Sequence, residues 1–107
     1  MKYVMLFMSL VLSQTAFAYG DSGRTTLEGK RFQVIGDSDP RVFIYDVTIN
    51  NSGCSGITPV LVMSSTNILA KELYSALLTA KASGKEVQLM TRGCKDNNPI
   101  IFSVNLY

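Results

Sequence analysis

The chain has 107 residues, a net charge of +2, two Cys, and neither His nor Trp. This length fits one domain rather than a two-domain enzyme, and so small a charge does not mark a nucleic-acid-binding surface. The absence of His excludes Ser-His-Asp and Cys-His catalysis and any His-ligated metal site, and a hydrophobic content of 47% excludes disorder.

The first 18 residues are typical of a secretory signal peptide. Lys2 gives a positive start, residues 3–12 are almost uniformly apolar, and Ala16-Phe17-Ala18 fits the small-x-small rule for cleavage. The alternative is an uncleaved membrane anchor, but about ten apolar residues fall well short of the roughly 20 that span a bilayer. We therefore expect a mature chain of residues 19–107 that forms a single domain without a membrane span, either periplasmic or secreted.

Cys54 and Cys94 both lie in the mature chain. An even pair in an oxidising compartment most simply forms a disulfide, and closing the long loop between them stabilises the fold by about 4 kcal/mol in the chain-entropy model. The alternative, a redox-active pair, lacks the Cys-x-x-Cys spacing of such motifs. The sequence therefore predicts a structural disulfide.

The first half of the mature chain has the composition of strands and turns. Residues 19–26 are rich in Gly, Ser, Thr and Asp and indicate a loose N-terminal arm. Three strands are predicted next because β-branched and aromatic residues dominate residues 27–35, 41–49 and 57–63. Turn-forming residues separate these strands, at residues 36–40 and at residues 50–56, where Cys54 lies.

A helix follows the third strand. Its N-terminus is predicted just after Ser64, Ser65 and Thr66, whose hydroxyls are candidate N-caps. Gly84 is the natural left-handed stop. Apolar residues at helical spacing form one stripe, which consists of Leu69, Leu73, Ala76, Leu77 and Ala80.

Two strands complete the chain. Residues 86–92 and 100–106 alternate apolar and polar side chains, and a turn at 93–99 with Cys94 separates them. The predicted fold class is therefore α+β and mainly β, a small partly open barrel of five strands with one helix between strands 3 and 4.

The stretch from Tyr45 to Tyr107 contains a further pattern. A Cys-containing loop at 51–56 precedes a strand ending at Met63, a helix core at 73–82, the run from Ser83 to Val87, a loop with Cys94 and a last strand ending in an aromatic. This succession resembles a family of small secreted bacterial proteins similar to the receptor-binding (B) subunit of subtilase cytotoxin. The resemblance implies an OB-like barrel, and the toxin members form pentameric rings that bind sialylated glycans.

The toxin subunits surround their sugar with hydroxyl, acidic and aromatic side chains on the first strand and on the strand after the helix. Here the second of these strands, residues 87–91, carries no aromatic. No sugar-binding residue is therefore transferred from the family to this chain.

Six residues are candidate contacts for a ligand or partner: Arg41, Tyr45, Asp46, Tyr74, Lys95 and Asn97. The first three lie in or next to the most hydrophobic strand and are candidates for part of a polar binding edge. The alternative for these residues is an ordinary solvated surface.

The other three candidates come from the second half of the chain. Tyr74 shares a helix face with Leu78 and Lys81, which we expect to pack either on the barrel or against a neighbouring subunit. Lys95 and Asn97 lie in a polar loop that fits either a ligand contact or a solvated turn.

No catalytic residue, cofactor or metal site is predicted. Asp37 and Asp39 are explained as turn residues, since a calcium loop needs several more oxygen ligands. The leading hypothesis is a secreted non-catalytic binding module, resembling a toxin B subunit, that recognises glycans on a target surface. The alternatives are a periplasmic structural or protein-partner-binding accessory protein without sugar recognition, and a small hydrolase. A homo-oligomeric ring of five is a separate expectation.

Overall fold

The computed structural model describes residues 19–107, so the predicted signal peptide lies outside the described residues. This part of the chain is mainly β, with six strands in one open sheet and a single helix. In chain order the elements are β1 Tyr19–Thr26, β2 Phe32–Ile35, β3 Arg41–Ile44, β4 Val60–Val62, α1 Ala70–Ser83, β5 Glu86–Lys95 and β6 Asn98–Leu106. Over the same residues, no helix has the length and apolarity needed to cross a membrane.

The strand order across the sheet is β1-β5-β6-β4-β3-β2. Neighbouring strands are antiparallel except β4 and β6, which are parallel and in register at Val60 and Ile100. The sheet therefore has two halves, β1-β5-β6 and β4-β3-β2, and we call the β4–β6 junction the seam. β1 and β2 follow each other in the chain but lie at opposite edges of the sheet.

The hydrophobic core draws on both halves of the sheet and on the helix. Ile44 and Leu61 come from one half, Leu89 and Ile101 from the other, and Leu77 from α1, and each is at most 1% exposed. Burying an aliphatic side chain of this size contributes about 1.5–3 kcal/mol. Because the core spans the seam, its burial favours a closed junction.

The structure confirms the helix and its C-terminal stop but not its N-caps. Gly84 adopts the left-handed conformation at φ 73°, and its N–H donates to the Ala80 carbonyl at 3.0 Å. The predicted hydroxyl caps are wrong, because a turn intervenes in which the Ser64 and Thr66 hydroxyls bond to each other at 2.7 Å. Leu69 takes the N-cap position without a side-chain capping bond and is 57% exposed, so it does not belong to the buried stripe.

The predicted loose arm is a strand. β1 pairs with β5 from Tyr19 opposite Arg92 to Thr26 opposite Glu86, which gives six strands where the sequence predicts five. The arm lacks strand propensity of its own. It is ordered by the edge of β5, by packing of Tyr19 on Phe102 with 5.6 Å between ring centroids, and by hydrogen bonds to β5.

Several predicted strand boundaries also move. β3 ends at Ile44, before a turn in which Asp46 has φ 67°, so the predicted strand at 41–49 is too long. The predicted turn at 93–99 shrinks to Asp96 and Asn97, both at positive φ, and β5 continues through Cys94 to Lys95. Two positive-φ residues between paired strands are typical of a type I′ hairpin.

The predicted disulfide is confirmed and it braces the seam. Cys54 and Cys94 are bonded, with 5.8 Å between their Cα atoms, and they join the β3–β4 connection to β5 in the other half. Hydrogen bonds run beside this bond. The N–H of Gly56 donates to the Asn97 carbonyl at 2.6 Å, and the N–H of Thr58 donates to the Asn98 side-chain oxygen at 3.3 Å.

Gly56→Ala is expected to weaken the seam. A Cβ at this position would lie 2.8 Å from the Asn97 carbonyl oxygen and closer still to the Asn98 side-chain oxygen. Such overpacking lowers the free energy of unfolding by about 1–3 kcal/mol. Urea denaturation measures this change, and Gly36→Ala is the matched control because nothing lies within 4 Å of its Cβ position. Equal stabilities of the two variants would contradict the close contact.

Leu77→Ala is expected to destabilise the protein by about 2–5 kcal/mol, because it removes a fully buried side chain and leaves a cavity. Its neighbour Leu78 is 42% exposed, so Leu78→Ala should cost far less. Thermal and urea unfolding of the two variants provide the comparison. A larger loss for Leu78→Ala would show that the helix packs with the opposite face.

Candidate functional site

The six residues predicted as contacts lie in three separate places. Arg41, Lys95 and Asn97 lie where the β2–β3 and β5–β6 turns approach each other, Tyr45 and Asp46 follow β3, and Tyr74 is half-buried on α1 against the core. They do not form one site. Each group has its own set of contacts.

Two members of the first group, Arg41 and Lys95, belong to a cluster of ion pairs, which we call the tip cluster and define as Asp37, Asp39, Arg41, Lys95 and Asp96. Arg41 pairs with Asp37 at 3.2 Å and with Asp96 at 3.3 Å, while the Lys95 ammonium pairs with the Asp39 carboxylate. The backbone N–H of Asp39 is the main cause that lowers the pKa of Asp37. Each charge in the cluster has an opposite partner, so the cluster joins the two turns.

No metal site is formed by these carboxylates. Across residues 19–107, no three His, Cys, Asp or Glu side chains are grouped closely enough to hold a metal ion. Asp37 instead accepts a hydrogen bond from the N–H of Asp39 at 2.9 Å, as a turn-forming carboxylate does.

Tyr45 uses its polar atom within the β2–β3 hairpin. Its hydroxyl donates to the Gln33 side-chain oxygen at 2.6 Å, and the Arg31 guanidinium lies 4.0 Å from the centroid of its ring. Asp46 is exposed in the turn that follows β3. These contacts support the hairpin, and they leave the ring of Tyr45 half-buried.

A different surface combines exposed aromatic rings with a connected set of polar groups. It is the face of β1, β5 and β6 that points away from the core, and we call it the Gln88 face. Its members are Tyr19, Asp21, Arg24, Glu86, Gln88, Arg92, Phe102, Asn105 and Tyr107. β5 provides the pattern, because its residues Val87 and Leu89 are buried while Gln88 between them points outward.

The Gln88 amide is at the centre of this face. Its nitrogen donates to both carboxylate oxygens of Asp21, each at 2.9 Å. Its oxygen accepts a hydrogen bond from the Asn105 amide at 3.2 Å and another from the Tyr107 hydroxyl at 3.0 Å. Both ends of the Gln88 amide are thereby used, which fixes its orientation and holds three strands' side chains in one arrangement.

A bulge in β1 aims Asp21 at Gln88. The register of β1 against β5 shifts between Asp21 and Arg24, and Gly23 within the bulge has φ 69°. The Asp21 carboxylate accepts the Gly23 N–H at 2.7 Å, and the Ser22 hydroxyl accepts the Leu89 N–H at 2.9 Å. The Ser and Gly residues that indicate a loop in the sequence are therefore the ones that form the bulge.

Each end of the face carries an arginine near an aromatic ring. Arg24 lies 3.8 Å from the Tyr107 ring centroid and pairs with Glu86 at 3.0 Å. At the other end Arg92 lies 5.4 Å from the ring centroid of Tyr19, which meets Phe102 edge to face. Tyr19, Phe102 and Tyr107 are 51%, 41% and 49% exposed, so their rings remain open to a ligand.

The arrangement is suited to binding an extended polar molecule. The outward positions of β5 from Glu86 to Arg92 span about 20 Å at the usual rise of a strand. Carboxylate, amide and phenol groups offer both donors and acceptors, and the rings offer apolar contact area. Two positive and two negative side chains balance each other, so the face does not select strongly for one sign of charge.

The prediction from the sequence missed this face. The alternation along residues 86–92 is visible in the sequence, and it separates the outward side chains from the buried ones. It does not identify their neighbours, because Asp21 and Tyr107 reach Gln88 from 67 and 19 positions away. The polar side of the strand was a usable signal, although the face carries no aromatic from β5 itself.

Comparison of the chain with models of protein families, with curated proteins and with solved structures gives no significant match.

The Asp21 carboxylate is held in its ionised form by the groups around it. The backbone N–H of Gly23 and then the Gln88 amide lower the pKa of Asp21 below its ordinary value of 3.8, and its slight burial acts in the opposite direction. A lowered folded-state pKa gives stability that is fully present above the ordinary value and is lost as the pH falls through the folded value.

Gln88→Leu is expected to raise the pKa of Asp21 towards 3.8, because the two hydrogen bonds from the Gln88 amide nitrogen to the carboxylate are removed while the Gly23 N–H remains. The part of the stability lost on acidification should shrink accordingly. Carboxyl-carbon NMR titration measures the pKa directly. Asn105→Ala is the control, since Asn105 bonds to Gln88 and not to Asp21. An unchanged pKa in Gln88→Leu would refute the role of this amide.

Proposed function

We propose that this protein is an exported, non-catalytic binding module that recognises glycans through the Gln88 face. The observation that carries the proposal is the fixed Asp21–Gln88–Tyr107 network between two arginine–aromatic stacks. The resemblance of residues 45–107 to toxin receptor-binding subunits supports the same class of ligand.

The chemistry of the face suits sugars. A sugar ring has hydroxyls around its rim and C–H groups on its faces, so it needs hydrogen-bonding partners beside apolar surface. Asn105 and Tyr107 are exposed next to the Gln88 amide, and together they provide both. Because these groups are already held by Gln88, binding requires little ordering of side chains.

The residue types support the non-catalytic part of the proposal. The chain has no His, and both of its Cys are in a disulfide, so neither provides an activated nucleophile. On the Gln88 face the Asp21 carboxylate is held ionised and the Glu86 carboxylate is paired with Arg24. The lowered pKa of Asp21 argues against a role as the protonated acid that glycoside hydrolysis requires.

We also propose that the sheet is the wall of an OB-like barrel. The order β2-β3-β4-β6-β5-β1, with β4 and β6 parallel and α1 between β4 and β5, supports this architecture. β1 and β2 would then be two segments of one first strand, interrupted at residues 27–31. Mutual backbone hydrogen bonds between Asp21 and Asn50, at 3.0 and 3.1 Å, draw β1 towards the chain that follows β3.

Export is part of the same proposal. Residues 1–18 have the charge, apolar run and cleavage pattern of a signal peptide. The Cys54–Cys94 disulfide is compatible with an oxidising compartment.

The second candidate function is binding to a protein partner. Tyr19 and Phe102 are large exposed aromatics beside Arg92, and these residue types are enriched in protein interfaces. The same face would then contact a protein. A glycan array in which the wild-type protein binds no sugar would favour this candidate.

A glycan array with the disulfide-bonded protein tests the first candidate. Tyr107→Ala is expected to weaken binding of the glycans retained by the wild type by about tenfold or more, because it removes an exposed ring and a bond to Gln88. Tyr45→Ala is the matched control on another surface. Absence of glycan binding above background, or a loss confined to Tyr45→Ala, would overturn the proposal.

A further inference from the structure

β2 is an edge strand with an unguarded side. It pairs with β3, and within residues 19–107 no strand pairs with its other side. Its four residues, Phe32–Ile35, include neither a charge nor a proline, and Val34 is 62% exposed. Natural edge strands usually carry charged residues, prolines or bulges that prevent pairing with another chain.

The opposite edge of the sheet shows such protection. β1 has a bulge between Asp21 and Arg24, and near its N-terminal end the main chain of Asp21 is hydrogen-bonded to the main chain of Asn50. Both features interrupt the regular row of main-chain groups that a further strand would need. The contrast singles out β2 as the edge available for pairing.

The main chain of β2 determines which residues can pair. The Arg31 carbonyl accepts the Tyr45 N–H at 2.9 Å, so Arg31, and with it Gln33 and Ile35, direct their main-chain groups towards β3. Phe32, Val34 and Gly36 therefore direct theirs to the free side. The Lys30 carbonyl also points to the free side, but it accepts a hydrogen bond from the Lys81 ammonium. The part of the edge that is available for pairing therefore begins at Phe32.

An antiparallel pair of two identical β2 strands can satisfy these groups. A two-fold axis through Val34 sets Val34 of one copy opposite Val34 of the other, and Phe32 of one copy opposite Gly36 of the other. The main-chain groups of all these residues point to the free side. The same register sets Arg31 of one copy opposite Asp37 of the other. Both side chains are exposed, and opposite charges at directly facing positions of a sheet attract.

We propose that two copies of this chain associate through β2 in that register, forming a continuous sheet across a two-fold axis. Each Arg31 then faces the other copy's Asp37, and within its own copy it also contacts the Tyr45 ring. Asp37 also keeps its intrachain partner Arg41. The contact is short, so the dimer forms at high protein concentration and dissociates on dilution. β2 lies at the far edge from β1, which leaves the Gln88 face of each copy uncovered.

Sedimentation velocity over a concentration series of the disulfide-bonded protein tests the proposal. The mass is expected to rise from one chain towards two. Arg31→Glu and Asp37→Lys each place like charges opposite each other and should weaken the dimer by about tenfold or more, whereas the double variant should restore it. Lys85→Glu, an exposed charge reversal in the α1–β5 connection, should leave the association unchanged.

A second variant separates pairing from folding. Val34→Pro removes a main-chain N–H that points to the free side, so β2 keeps its bonds to β3 while the dimer is lost. Circular dichroism and the intact disulfide confirm that the variant is folded, and Val34→Thr retains the N–H as its control. A monomer at every concentration, or a larger ring that none of these variants affects, would overturn the proposal. A double charge variant that stays dissociated while each single one is folded would overturn the register.

Discussion

The pairing between the two halves of the sheet is short, and the rest of the fold depends on keeping it closed. In the part of the chain that the structure describes, β4 and β6 are in register at Val60 and Ile100, so main-chain pairing alone contributes little here. The disulfide lies beside this junction and closes it covalently. Leu77 of α1 packs into a core built from both halves. Gly56 approaches the β5–β6 turn so closely that there is no room for a side chain at this position. Covalent, apolar and polar contacts thus converge on the same seam, as expected for a small domain whose core is limited in size.

Charged residues have different roles at the tip cluster and on the Gln88 face. At the tip cluster, Arg41 pairs with Asp96 and Lys95 pairs with Asp39 between the two halves of the sheet, so these ion pairs position two turns against each other. On the Gln88 face, hydrogen bonds instead link side chains of three strands in one half, and the exposed rings of Tyr19 and Tyr107 flank them. Exposed ion pairs contribute little to stability individually. Their value at the tip cluster lies in fixing geometry, whereas the Gln88 face presents groups that are already oriented for contact.

Local patterns in the sequence predicted those features that depend on neighbouring residues. The helix, its stop at Gly84, the alternation of the last two strands and the disulfide belong to this class. β1 did not, because its strand conformation is provided by β5, a partner far along the chain, and its Ser and Gly content reflects a bulge. The Gln88 network was missed for the same reason. Alternation shows that Gln88 points outward, but only the register of three strands brings Asp21 and Tyr107 to it.

Asp21 belongs to two structures at once. Its side chain holds Gln88 on the candidate binding face, and its main chain exchanges hydrogen bonds with Asn50, in the connection that carries Cys54. A molecule that bound this face and ordered the carboxylate would therefore also make local opening around Asn50 rarer, and the reverse would hold equally. Slow exchange of the Asn50 backbone amide with solvent would thus report on binding at the Gln88 face, although this amide does not belong to that face.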